Sequence, residues 1–418
     1  MNILIFNCGS SSQSFKLYRV DSTAAPVVLA SGKAKNVATQ TQSASRLIYS
    51  IHGQEKTINL ELPSHQAAAN AILDTLEKEI ASEEKIDRIG HRFVHGGSYF
   101  DHSVEINAAT YAKLKDCLHL APIHNPNSFS VIEVCRDRYP DVPQYAVFDT
   151  AFHAGMPAES KVYAIPKAIA EQFGFHKYGC HGLADQYVSQ KCSEILRKPL
   201  AKLKLVICHL GTGGSSVVAI QNGIAIDNSM GYSPLAGLIM STRSGDIDPE
   251  IVLELVRHGR SADEVDHMLN YESGLLGISG YSSNLNEIIA AAENGNPDCQ
   301  LAFDAYCHRL KSTIGAFIWQ LNGADALVFT DDLGVENWKM RQKVCSNEEN
   351  LGLMLDFEKN RSAPGDRPAC LSQTASKIQI WSIPNDEESV IVDEILKLTH
   401  SLDASAGCDH KIMDFQVR

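Results

Sequence analysis

The chain has 418 residues, 44% hydrophobic and 21% charged, a balance that folds as globular protein and leaves room for two domains with separate cores. Its 50 acidic and 37 basic side chains give a net charge of −13, which argues against a nucleic-acid binder. Any phosphate site must therefore be built from local arginines, backbone amides or a metal, against the overall field. The 11 cysteines are odd in number and form no Cys-x-x-Cys pair. Cys117, Cys135, Cys208 and Cys307 sit in apolar stretches and read as small buried hydrophobes. With no signal-peptide pattern and no apolar run of membrane-spanning length, the expected location is a reducing cytoplasm.

Strand-like and helix-like segments alternate along the chain, the pattern of a layered α/β protein. Residues 2–7 and 14–20 predict two strands around the turn Cys8-Gly9-Ser10-Ser11-Ser12. Residues 66–82 place Ile72, Leu73, Leu76 and Ile80 on one helical face. The run Ile89–Gly97 puts Arg92 at a strand end beside a glycine pair. That arginine suits bidentate binding of carboxylate or phosphate, while a surface ion pair is the plainer reading. His91 and His95 are four apart but lack the helix a zinc pair needs. Residues 145–153 form a buried-strand pattern ending in Asp149, which suits either a ligand crevice or a helix N-cap.

In the second half, Tyr178-Gly179-Cys180-His181-Gly182 places a histidine in a tight loop. Residues 204–220 read strand, His209-Leu210-Gly211-Thr212-Gly213-Gly214-Ser215-Ser216, strand, and look like a second use of the first hairpin. Small-residue turns of this kind let backbone N–H groups and hydroxyls converge on one anion. Neither loop has the lysine or spacing of a Walker loop. Residues 240–249 carry Arg243 in a polar loop that leads into a helix. Residues 299–321 form the clearest helix, with Phe303, Tyr306, Leu310, Ile314, Phe317 and Leu321 as a core stripe. The apolar strand Ala326–Thr330 then runs into Asp331-Asp332-Leu333-Gly334, read as a third glycine-containing turn.

Taken together and in this order, the blocks Asn7–Ser12, Gly90–Gly97, Leu120–Pro126, Ala146–His153, Tyr178–Gly182, His209–Ser216, Thr242–Pro249 and Ile383–Glu388 resemble the acetate kinase family over residues 1–400. The resemblance implies an α/β fold: the duplicated RNase-H-like pair shared with actin and the sugar kinases, with a cleft between the domains. Residues 1–150 plus about 385–403 would form one domain and residues 151–384 the other, with 404–418 a C-terminal extension. It also implies a homodimer, Mg2+ or Mn2+ as cofactor, and reversible phosphoryl transfer between acetate and acetyl phosphate.

By the same resemblance, Arg92 and Arg243 hold the carboxylate and the transferring phosphoryl, and His181 hydrogen-bonds the phosphoryl oxygens. Asp149 orients an arginine or the metal's waters, and Asn7 and Glu387 hold the metal. Ser10, Ser12, His209, Gly211, Thr212, Gly213 and Gly214 contact the donor phosphates. Val94, Leu120 and Pro234 match the pocket for the substrate methyl, and Cys180 stands where an aromatic residue is common.

The departures concentrate at the nucleotide. ATP-using members carry lysine where Ser14 stands, and Asp-x-Arg where this chain has Asn284-Leu285-Asn286. Their glycine pair is replaced by Asp331-Asp332 ahead of Gly334, side chains that would fill the space and repel an anionic nucleotide. This combination resembles the diphosphate-dependent branch, which uses pyrophosphate/phosphate in place of ATP/ADP. The alternatives are an ordinary ATP-dependent acetate, propionate or butyrate kinase and, ranked lower, an inactive member with a binding role.

Overall fold

The computed structural model describes residues 1–21, 24–39, 44–80 and 84–409, with side chains described as far as residue 400. Two compact units divide the chain, Met1–Ala151 with Asp386–Arg418 and Phe152–Asn385.

The first unit is built on strands β1 (Asn2–Cys8), β2 (Ser12–Arg19), β3 (Val27–Lys35), β4 (Arg46–Ile51), β5 (Gln54–Asn59), β6 (Arg88–Phe93), β7 (Val104–Glu105) and β8 (Gln144–Phe148). Their order in the sheet is β5-β4-β3-β2-β1-β6-β8-β7. β1 is central and almost wholly buried, as the run Ile3-Leu4-Ile5-Phe6 requires of a strand covered on both faces. β2 alternates instead, with Gln13, Phe15 and Leu17 buried and Ser12, Ser14 and Lys16 half-buried on the opposite face. β1, β6 and β8 run parallel, so their C-terminal ends lie side by side.

The helices His65–Glu79 and Asn125–Arg138 pack together on one face of this sheet. The C-terminal helix Glu387–Asp409 also packs against the sheet, close to Gly90. A Cβ at Gly90 would fall 2.7 Å from Ile395 and from Ile5 and 2.8 Å from Ile391, so the close approach requires glycine. Burying Ile391 and Ile395 fixes the helix whose first residue is Glu387. That helix runs on through residues 404–409, where the sequence had suggested a separate extension; residues 410–418 of the tail lie outside the described residues.

The second unit holds β9 (Lys204–Gly211), β10 (Gly214–Gln221), β11 (Ile224–Asn228), β12 (Ala326–Thr330), β13 (Ala369–Cys370) and β14 (Gln379–Ser382), in the order β11-β10-β9-β12-β14-β13. An antiparallel meander β9-β10-β11 is followed by parallel pairing of β9 with β12 and of β12 with β14. The first unit repeats this connectivity as β3-β2-β1-β6-β8. The two hairpins singled out in the sequence are thus equivalent elements of two like-connected sheets, and the fold is an α/β two-sheet one.

The helix Pro297–Gln320 buries the expected stripe of Phe303, Tyr306, Leu310, Ile314 and Phe317, with Asn296 capping it by accepting from Asp298 N and Cys299 N. Residues 331–334 depart from the expectation: they open a short helix, Asp331–Glu336, rather than a turn. Asp331 enters it with φ 65°, so the reversal takes place at a single residue.

The ten described cysteines are all free and nine are buried. Burial pushes the thiols of Cys8, Cys117, Cys192, Cys307 and Cys345 up to about 12, so they are inert packing groups. Among the described residues no helix is long and apolar enough to cross a membrane.

Candidate active site

In the first unit, the ends of β1, β6 and β8 deliver Asn7, Arg92 and Asp149. Arg92 grips Asp149 through two parallel bonds, Nε to Oδ1 at 3.1 Å and Nη2 to Oδ2 at 2.6 Å. Its remaining nitrogen, Nη1, donates to Asn7 Oδ1 at 3.0 Å and lies 2.9 Å from Glu387 Oε2. Burial alone would lower the Arg92 pKa, but the charges of Asp149 and Glu387 more than reverse it, so the guanidinium stays ionised. Arg92 is therefore no surface ion pair, and Asp149, fully buried, serves this arginine.

The Asn7 amide nitrogen faces two carboxylates, Glu387 Oε2 at 2.9 Å and Glu388 Oε1 at 3.2 Å. Glu388 also accepts from Ser14 Oγ at 2.8 Å, and Lys16 Nζ lies 3.4 Å from its other oxygen and 2.7 Å from Asp386. Burial would raise the Glu388 pKa; Lys16 and the bonds from Ser14 and Asn7 outweigh it and hold the carboxyl below its usual value.

This oxygen-only donor set fits a hard divalent cation. Among the described residues no group of three or more His, Cys, Asp or Glu could hold a metal. An ion at Asn7 and Glu387 would therefore keep most of its ligands as water and phosphate, the usual manner of Mg2+. On the adjoining hairpin, Ser10 is exposed and Ser12 half-buried. Val94 is buried, and Leu120 packs over Gly97.

In the second unit the cluster forms around the β9–β10 hairpin, where His209 and Ser216 are register partners. His181 precedes the helix Gly182–Leu196 with φ 64°, which turns its ring onto the sheet. Its Nδ1 lies 2.8 Å from Ser216 Oγ, and its ring stacks on His209 with centroids 4.0 Å apart. Behind it, His153 Nε2 at 2.9 Å and Asn228 Nδ2 at 3.2 Å donate to the Cys180 carbonyl.

Arg243 is buried and donates to the carbonyls of Pro234 at 3.0 Å and Gly213 at 2.8 Å. No carboxylate pairs with it among the described residues, and burial lowers its pKa. A Cβ on Gly214 would fall 3.3 Å from Arg243 Nη1 and 3.5 Å from His181 Nε2. The guanidinium and the imidazole therefore converge on the backbone of this loop.

The two aspartates close on the same loop. Asp332 accepts from Thr212 twice, from its N–H at 2.9 Å and its hydroxyl at 2.7 Å. Asp331 Oδ2 lies 3.2 Å from His209 Nε2, and a Cβ at Gly211 would fall 2.0 Å from that oxygen. Asn284 caps the helix Leu285–Glu293, and Asn286 Oδ1 accepts from Asn337 Nδ2 at 2.8 Å. The Gly334 carbonyl accepts from the buried Arg341 at 2.9 Å.

Glu388, Lys16 and Asp386 in the first unit, and His153 and Asn228 in the second, were not singled out from sequence. The alternation along β2, which sets Ser14 and Lys16 on one face, is a signal that could have pointed to Lys16.

A model of the acetokinase family matches residues 2–393. An acetate kinase of Carboxydothermus hydrogenoformans is 42% identical over 95% of this chain and 99% of its own length. The crystal structure of Porphyromonas gingivalis acetate kinase superposes with a TM-score of 0.84 at 36% identity, covering 95% of this chain and 99% of that one. A propionate kinase from Francisella tularensis subsp. tularensis gives 0.84 at 37% identity over 94% and 98%. Family model, relatives and fold agree, and the chain belongs to the acetokinase family as an acetate-kinase-type phosphotransferase.

Proposed function

We propose that this enzyme transfers a phosphoryl group between acetate and acetyl phosphate with pyrophosphate/phosphate, rather than ATP/ADP, as the second couple. The observation that carries the reading is the pair of hydrogen bonds that Thr212 donates to Asp332. A carboxylate already occupies loop donors that a nucleotide phosphate would use, and Asp331 sits beside it on His209. Asn286, at the position of the adenosine-contacting residues in ATP-using relatives, is tied to Asn337. Arg243 and His181, which converge on the Gly214 backbone, would bind a compact phosphate, which needs no purine pocket.

The acceptor is already a nucleophile when ionised, so no general base is needed and catalysis is positioning plus charge stabilisation. Arg92, oriented by Asp149, holds the carboxylate. Arg243 and His181 stabilise the charge that spreads over the phosphoryl oxygens. Bound through Asn7 and Glu387, Mg2+ (or Mn2+) supplies neutralisation of the phosphate charge. Val94, Leu120 and Pro234 are assigned to the methyl of the carboxylate, and Ser10, Ser12, Gly211, Gly213 and Gly214 to donor phosphate. A cytoplasmic homodimer belongs to the same reading.

Calorimetric titration with magnesium pyrophosphate and with MgATP tests the donor assignment. The reading expects pyrophosphate to bind at least tenfold more tightly, a difference of about 1.4 kcal/mol. Tighter binding of ATP would overturn it.

A further inference from the structure

Two adjacent carboxylates, Glu387 and Glu388, converge on a single amide nitrogen of Asn7. Like charges brought this close repel unless each has its own cation. Glu387 has Arg92 at 2.9 Å. Glu388 has Lys16, which reaches it along the face of β2 that also carries Ser14, and Asp386 anchors the ammonium from its other side at 2.7 Å. The Lys16 side chain is 27% exposed and that of Glu388 12%, so solvent screens the pair only in part.

We propose that Lys16 is a positioning residue that acts as an internal counter-cation, keeping Glu388 from serving as a second carboxylate ligand of the divalent cation. The protein then presents Asn7 and Glu387 as its metal-holding pair and takes up the cation mainly together with its phosphate. Removing the ammonium leaves Glu388 with Ser14 and Asn7 alone, next to Glu387. The resulting dicarboxylate binds a hard cation without phosphate. This rests on the reading of Asn7 and Glu387 as the metal-holding pair.

The test is an electron paramagnetic resonance titration of the full-length, phosphate-free protein with Mn2+ alone. Lys16→Met and Lys16→Gln are each expected to bind Mn2+ at least tenfold more tightly than the unmodified chain. Lys16→Arg, which retains the charge, is expected to bind as the unmodified chain does. Adding Glu388→Gln to Lys16→Met is expected to remove the gain. Unchanged Mn2+ affinity in both neutral variants overturns the proposal, as does a gain that survives Glu388→Gln. Glu387→Gln, titrated with Mn2+ plus pyrophosphate, separates the two readings. If it leaves Mn2+ binding intact, the metal-pair reading has failed. If it weakens binding while the Lys16 variants stay at the unmodified value, only the counter-cation has failed.

Discussion

Asp332 holds Thr212 by both of its donors, the backbone N–H at 2.9 Å and the hydroxyl at 2.7 Å. The loop assigned to the donor phosphate is thus partly satisfied by a carboxylate of the same unit. Asp331 adds a second negative charge at His209 and adopts φ 65° to do so. Replacing both residues with glycine frees the loop donors and relaxes the left-handed residue, whose conformation costs about 1–2 kcal/mol for a non-glycine side chain. The double variant is predicted to gain at least tenfold in kcat/KM for ATP without a fall in melting temperature. Steady-state kinetics with both donors, together with calorimetry, check it.

Arg243 is buried against neutral carbonyls, whereas Arg92 is surrounded by carboxylates. A buried charge without a counter-charge is a stability cost retained for function. Arg243→Met is predicted to melt no lower than the unmodified chain while losing about 10³-fold in kcat, the scale of an arginine acting on a transferring phosphoryl. Thermal melts and saturation kinetics on one preparation test both halves.

Gly90 allows the C-terminal helix to reach the sheet. Gly90→Ala sets a methyl 2.7 Å from Ile395 and Ile5 and is predicted to destabilise by about 1–3 kcal/mol, as overpacking does. Because Glu387 begins that helix, the Mg2+ concentration for half-maximal activity should rise as well. Urea unfolding and a Mg2+ titration of the rate measure the two effects.

His91 is fully buried on β6, and its Nε2 lies 2.8 Å from Gln144 Oε1. Burial pulls its pKa down to about 4, with the Gln144 bond opposing. The folded value lies below the unfolded value of about 6.5, so the unfolded chain binds the proton first as pH falls. Stability from this residue is complete above about pH 6.5 and declines by about 3 kcal/mol on acidification to pH 4. His91→Gln should flatten that part of the pH profile, read by denaturant midpoints at each pH.

Much of this was legible in the sequence because it is local. The two hairpins showed themselves as glycine- and serine-rich turns between apolar strands, and the stripe from Phe303 to Phe317 showed itself by its spacing. What sequence could not supply was juxtaposition. Arg92 and Asp149 were ambiguous singly, and only the parallel pairing of β6 with β8 sets them side by side. Lys16 and Glu388 are more than 370 positions apart and meet because the C-terminal helix returns to β1. Aspartates and a glycine at residues 331–334 favour a turn. The structure makes that reversal at Asp331 alone and continues as helix, with Arg341 holding the carbonyls of Gly334 and Val335.

The most direct test of the donor assignment is turnover itself. Acetyl phosphate formation and consumption by the purified protein with Mg2+ should be measured with pyrophosphate/phosphate and with ATP/ADP at matched concentrations. The account predicts turnover with the pyrophosphate couple and at least tenfold lower kcat/KM with the nucleotide couple. Efficient turnover with ATP would contradict it, and would mean that Asp331 and Asp332 leave the nucleotide site open.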